Sequence, residues 1–211
     1  MIKNDYIIRL EKAEDYNKTE NLVREAFWNV YRPGCSEHFV LKNLRSDADF
    51  VPQLDFVMEK DGQIIGQIIF VKADIVKDDG SVLPVATFGP VCIDRAYQKN
   101  GYGRILLDYA LEKATEMGIG AVFIEGNINF YRHCGLTYAR EFGIKYHGLP
   151  DGADDSFFLG KELIKGYLKG VTGVYSTPKG YFVADENPQE FAEYEKQFPY
   201  KEKLKLPGQL V

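Results

Sequence analysis

The segment Gln98-Lys99-Asn100-Gly101-Tyr102-Gly103 constrains the fold of this chain more than any other. It follows a β-branched run ending at Ile93. It precedes a stretch in which Leu106, Leu107, Ala110, Leu111, Ala114 and Met117 recur at helical spacing, with Gly118 placed to stop the helix. A buried strand is predicted next, over residues 121–125, and a strand-helix-strand crossover of this kind brings its two strands together in parallel. Glycines let the backbone turn sharply and approach a ligand, while a helix N-terminus offers unpaired N–H groups and a favourable dipole to an anion. The turn therefore suits a pyrophosphate.

Several nucleotide-binding classes share a glycine-rich turn before a helix. A Walker loop needs Gly-Lys-Ser/Thr, but Gly103 is followed by Arg104 and Ile105. The dinucleotide fingerprint needs a third small residue where this chain has Leu106, which would hold helix and strand apart. The plain alternative is that the glycines merely cap a helix.

The rest of the chain reads as an α/β protein with a mixed, mostly antiparallel sheet. A first strand is predicted over residues 6–10, a helix over 17–30 and a second helix after Ser36, with Phe39, Leu41 and Leu44 on its apolar face. Runs over 54–60, 63–76 and 82–93 form a meander around the turns Asp61-Gly62 and Asp78-Asp79-Gly80-Ser81. A short helix over 127–133 closes at Gly135. Strands are expected over 138–146 and 156–163, shorter ones over 173–175 and 181–183, and a last helix from Asn187-Pro188.

Composition removes several function classes. The 211 residues carry a net charge of −5, which argues against a uniformly basic surface for nucleic acid phosphates. Neither a signal-peptide run nor a membrane-length apolar stretch is visible, so a cytoplasmic protein with no membrane partner is expected. Three widely spaced cysteines, Cys35, Cys92 and Cys134, suit reduced thiols. With no Cys-x-x-Cys pair, and with His38, His133 and His147 scattered, no metal site is expected.

The stretch from Phe88-Gly89-Pro90-Val91-Cys92-Ile93 through Gln98-Lys99-Asn100-Gly101-Tyr102-Gly103 resembles the signature of the GNAT acetyltransferase superfamily, whose pyrophosphate loop reads Gln/Arg-x-x-Gly-x-Gly/Ala. A second element agrees with it. Asn127-Ile128-Asn129-Phe130-Tyr131-Arg132-His133-Cys134-Gly135-Leu136 looks like the family's later helix, with Tyr131 four residues before Gly135. The Gly89-Pro90 step and the Phe130-Tyr131 pair are most similar to the YhbS-type branch. Arg104, where relatives often have Ser or Thr, and Leu136, in place of Phe, are departures that remove no phosphate donor.

The resemblance implies a twisted, mostly antiparallel sheet with flanking helices. Residues 1–147 would form the acetyl-coenzyme A-binding core and 148–211 a C-terminal extension of the same domain. It also implies that residues 98–104 and Asn127 lie against the cofactor. The strand Val91, Cys92 and Ile93 would offer backbone groups to the pantetheine arm and the acetyl carbonyl.

The chemistry asks for more. An alkylamine of pKa about 10.4 costs about 4.6 kcal/mol to neutralise at pH 7, so some group must take its proton. The departing thiolate also benefits from an acid. By resemblance Tyr131 is that acid, against the alternative of a buried tyrosine with a satisfied hydroxyl. Glu125, by its position at the end of a strand, is the candidate base, with a surface or capping role as its alternative. Direct transfer without an acyl-enzyme is expected, since no base is identifiable beside Cys92 or Cys134. The expected acceptor is an amine, on a small molecule or a protein. A non-catalytic coenzyme A sensor on the same fold and a nucleotide-binding module are competing readings, and a homodimer stays open.

Overall fold

The computed structural model describes residues 5–209. In chain order the elements are β1 (Ile7–Leu10), α1 (Tyr16–Phe27), α2 (Glu37–Leu44), β2 (Phe56–Lys60), β3 (Gln63–Lys77), β4 (Val82–Ile93), α3 (Tyr102–Glu116) and β5 (Ala121–Glu125). Then come α4 (Ile128–Tyr131), β6 (Thr137–Tyr138), β7 (Ile144–Tyr146), β8 (Phe158–Glu162), β9 (Gly173–Tyr175), α5 (Val183–Glu186) and α6 (Pro188–Glu195). The pairing is mostly antiparallel with helices alongside, the mixed architecture expected from the crossover. The described residues fall into two units, one of residues 5–69, 90–106 and 179–209 and one of residues 70–89 and 107–178.

In the first unit the strands follow the order β1-β2-β3-β4. Asp61 and Gly62 both take positive φ, 51° and 76°, which matches the right-handed twist of the β2–β3 hairpin. Between Met58 and Glu59 the register slips by one, so Ile65 is an extra residue on β3. Its carbonyl accepts the Asp94 N–H at 2.7 Å and thereby anchors the exit of β4. Gly66 lies under that exit. A Cβ there would stand 2.6 Å from Ile93 Cδ1 and 3.2 Å from Leu106 Cδ2, so a larger residue would have to push the ends of these side chains aside.

Helices α1 and α2 bury Leu22, Val23, Phe39, Leu41 and Leu44. The rings of Phe191 and Tyr194 on α6 cover Phe39 at 5.3 and 5.1 Å, and Glu195 accepts from Arg24 Nε at 2.7 Å and lies 2.8 Å from His38 Nε2. A buried arginine and histidine thus share one carboxylate, which answers the cost of burying charge.

Two expectations for this unit are corrected. The first helix stops at Phe27 and not at Val30, because Asn29 turns left-handed at φ 60° and its side chain accepts the N–H of Gly34 and of Leu204. Residues 181–183 are not a strand: they fall in a 3-10 turn (Lys179–Phe182) and in α5. Gly180 packs against Leu44 and Asp47 there, which seats the segment on the end of α2 and away from any sheet edge.

In the second unit β4 and β5 pair in parallel, Ala86 opposite Val122, and β5 continues antiparallel to β8, with Glu125 opposite Phe158. Strand β9 pairs antiparallel with β3 and parallel with β7, which sets Tyr146 beside Tyr175. Ile75, Val85, Phe123, Phe158 and Tyr175 form the core. The single strand expected over 138–146 is two strands, β6 and β7, parted by a 3-10 turn at Ala139–Phe142 and by Gly143 at φ 79°. The break lets the chain leave β8 and join β9. A single straight strand would have held both halves on one partner.

Candidate active site

The loop after β4 shapes itself with its own side chains. Asp94 accepts the N–H of Ala96 at 2.8 Å, and the Gln98 amide donates back to the Ile93 carbonyl at 3.0 Å. Asn100 Nδ2 donates to the carbonyls of Tyr97 and Gln98 at 3.3 and 3.2 Å. Lys99 and Gly101 take left-handed φ values of 63° and 86°, and the Gly101 carbonyl accepts the N–H of Ile105, so α3 begins at once. Tyr102 turns aside, its ring edge-on to Tyr6 and Tyr97 and its hydroxyl donating to Asp5 at 3.3 Å.

Three of the residues expected at the cofactor, Gln98, Asn100 and Tyr102, thus spend their side chains on the protein. What the loop presents is backbone. The first N–H groups of a helix have no intrahelical acceptor and carry the positive end of its dipole, so this exposed turn suits an anion. A Cβ built on Gly101 meets nothing within 4 Å, so the space in front of it is open. Lys99 and Arg104, both exposed, stand before and after it in the sequence.

Strand β4 carries Val91, half-buried, and Cys92 and Ile93, both buried. Burial pushes the Cys92 thiol up to about 12, so it is not a thiolate at neutral pH. Just before them Gly89 takes φ 140°. Pro90 can give nothing to the sheet ladder from its nitrogen, and β4 nevertheless runs unbroken from Val82 to Ile93.

The second unit holds the other candidates. Asn127 caps α4, its side chain accepting the Asn129 N–H at 2.9 Å. The chain then tightens into a 3-10 turn at Arg132–Cys134 and closes on Gly135 at φ 81°, as the spacing predicts. Tyr131 is half-buried at the end of α4 with its ring 6.0 Å from Phe88 and 4.9 Å from Phe130. It lies directly over Gly126, where a Cβ would stand 2.5 Å from Tyr131 Cε2. Gly126 therefore places the tyrosine. No turn motif in the sequence marks it.

Glu125, exposed at the end of β5, is not a loose surface carboxylate. Its Oε1 accepts the Tyr146 hydroxyl at 2.7 Å and the Thr177 hydroxyl at 2.6 Å. Burial pushes the Tyr146 phenol up to about 12, with Thr177 pulling the other way and Glu125 adding to the rise, so it remains a donor. Sequence reading missed both partners, which lie 21 and 52 residues further along and carry no motif.

The sequence profile of the Acetyltransferase (GNAT) family matches residues 21–136, more than half of the chain. This chain belongs to the GNAT acetyltransferase family. It is an acyl-CoA-dependent N-acyltransferase, as the glycine loop and the Tyr131 helix imply. Its fold is similar to the crystal structure of the GNAT family N-acetyltransferase YhbS from Escherichia coli in complex with CoA, with a TM-score of 0.72 and 25% identity over 84% of this chain and 92% of that one. A GNAT family acetyltransferase from Brucella melitensis in complex with acetyl-CoA shares the fold, with a TM-score of 0.66 and 20% identity over 85% of this chain and 99% of that one. No curated protein matches the chain. Among the described residues no helix is long and apolar enough to cross a membrane.

Proposed function

We propose that this GNAT protein transfers acetyl from acetyl-CoA directly to a primary amine, with the pyrophosphate held at residues 98–103. The observation that carries the reading is the loop itself. Gln98 and Asn100 tie carbonyls of the turn inward, Lys99 and Gly101 turn it left-handed, and α3 starts at once at Tyr102, so the positive end of its dipole faces the turn. The CoA and acetyl-CoA complexes of the two similar structures support it.

In this reading the backbone of Val91, Cys92 and Ile93 runs beside the pantetheine arm, and Asn127 and Arg104 complete the donor side. Glu125 takes a proton from the ammonium acceptor. The freed lone pair on nitrogen forms the C–N bond at the acetyl carbonyl, the C–S bond breaks with its electrons passing to sulfur, and Tyr131 delivers its proton to the thiolate. The amide nitrogen gives up its second proton and the phenolate regains one from solvent, so one proton is released for each amide formed. Neither a metal nor an acyl-cysteine takes part, in keeping with the high thiol pKa of Cys92. Residues 1–147 form the core of this proposal and 148–211 its extension.

Gly103→Asp tests the loop, because it places bulk and negative charge where the pyrophosphate would sit. Calorimetry should show at least about a tenfold loss of CoA affinity in a folded variant, or 1.4 kcal/mol. Unchanged affinity would refute the placement.

A further inference from the structure

The hydroxyls around Glu125 make a triangle, and its Thr177 corner also bonds the Tyr175 phenol. Tyr146 Oη and Thr177 Oγ1 each lie on Glu125 Oε1, at 2.7 and 2.6 Å, and the two hydroxyl oxygens are 2.9 Å from each other. An ionised carboxylate supplies no hydrogen, so two hydroxyl hydrogens must serve three oxygen–oxygen edges. A proton on Oε1 supplies the third. Each oxygen then donates once and accepts once around the ring, and every edge is a hydrogen bond. The triangle has a place for one more proton, which is what a group that deprotonates an ammonium needs.

The two hydroxyls are held firmly. The Tyr146 ring packs on Phe157 and Phe158, each at 5.2 Å, and β7 sets it beside Tyr175 of β9. Thr177 follows two residues after Tyr175, whose buried phenol is pushed up by desolvation. Glu125 is nevertheless exposed, so an acceptor can reach its carboxylate and a proton can leave for solvent.

We propose that Tyr146 and Thr177 are positioning residues of the acyl transfer, holding Glu125 so that its carboxylate receives the proton of a primary ammonium acceptor. The inference rests on Glu125 being the base. It gives the C-terminal strands a catalytic task that the family's loop and helix do not show. An alternative is that the triangle only fastens β7 and β9 to β5, in which case its loss would lower stability and leave turnover alone.

The experiment is single-turnover acetyl transfer from saturating acetyl-CoA to 2-phenylethylamine, spermidine and a short lysine peptide, with CoA affinity and melting temperature measured on the same proteins. Glu125→Gln and Tyr146→Phe should each slow the rate by about 10²-fold and Thr177→Val by about tenfold, with CoA affinity retained. Thr177→Ser, which restores the hydroxyl, should recover the rate to within about threefold. In the double variant Glu125→Gln with Tyr146→Phe the losses should not multiply, because Tyr146 acts through Glu125.

A slow Glu125→Gln beside parent-like Tyr146→Phe and Thr177→Val would overturn the positioning role alone. Losses that multiply in the double variant, or that follow falling CoA affinity or melting temperature, would overturn it too. A parent-like Glu125→Gln would remove the base and this inference with it. Absence of transfer to all three amines by the parent enzyme would overturn the amine reading beneath both.

Discussion

In the turn after β4 the Gln98 amide closes on a carbonyl five residues earlier, whereas at the end of β5 Glu125 is held by hydroxyls 21 and 52 residues further along the chain. The loop needs only local geometry: left-handed residues, short side-chain bonds and the start of a helix. The triangle needs three strands to arrive in register. A site built by neighbours in sequence is specified by residue types and spacing. One built across a sheet depends on which strands meet, and the two should respond differently to substitution.

Tyr131 is the most demanding case, since its helix is local but its ring packs on Phe88 of β4. Replacing it with Phe keeps the packing and removes the hydroxyl. Single-turnover transfer between pH 6 and 9 should fall by about 10² to 10⁴-fold while CoA still binds. A variant within about threefold of the parent across that range would make Tyr131 a packing residue and leave the mechanism without its acid.

Gly126→Ala comes next. Its Cβ would meet the Tyr131 ring at 2.5 Å and force the ring aside, so turnover should drop by about 10²-fold with the loop and its CoA affinity intact. An equal loss of CoA affinity would show that the two regions are not separable.

Gly66→Ala asks whether the loop is as self-sufficient as its hydrogen bonds imply. The added methyl collides with Ile93 Cδ1 under the exit of β4, and overpacking of this kind costs about 1–3 kcal/mol, readable as a lower denaturant midpoint. Unchanged stability would mean that the Ile93 side chain swings clear at no cost.

The smallest effect is alkaline. Tyr146 in the folded protein is pushed from 10.0 up to about 12, chiefly by burial, so above pH 10 the unfolded chain loses a proton that the folded one keeps. Its contribution is complete below pH 10 and is lost as pH rises through about 12. Tyr146→Phe should flatten that part of the stability profile. An identical slope in both proteins would show that Tyr146 ionises as freely as an exposed tyrosine.

The order of elements up to Gly135 was legible in the chain because each piece is signalled locally: helical apolar spacing, paired Asp-Gly turns and the glycine loop. The misread segments are those where distant packing overrides local preference. Asn29 ends α1 early to bind Gly34 and Leu204, Gly180 seats on Leu44 and Asp47, and Gly143 splits one expected strand between two partners. Cys92 was read as an unactivated thiol, and its burial gives the reason.

A resemblance in two motifs pointed to the family, and residues and spacing placed the glycine turn before α3, the short helix that carries Tyr131 and Glu125 at a strand end. Only the folded sheet decided what surrounds that carboxylate. Hydrogen-bond partners such as Tyr146 and Thr177 are chosen by strand register, here Tyr146 beside Tyr175 and Glu125 opposite Phe158, and register follows from the packing of whole strands, which no short run of residues encodes.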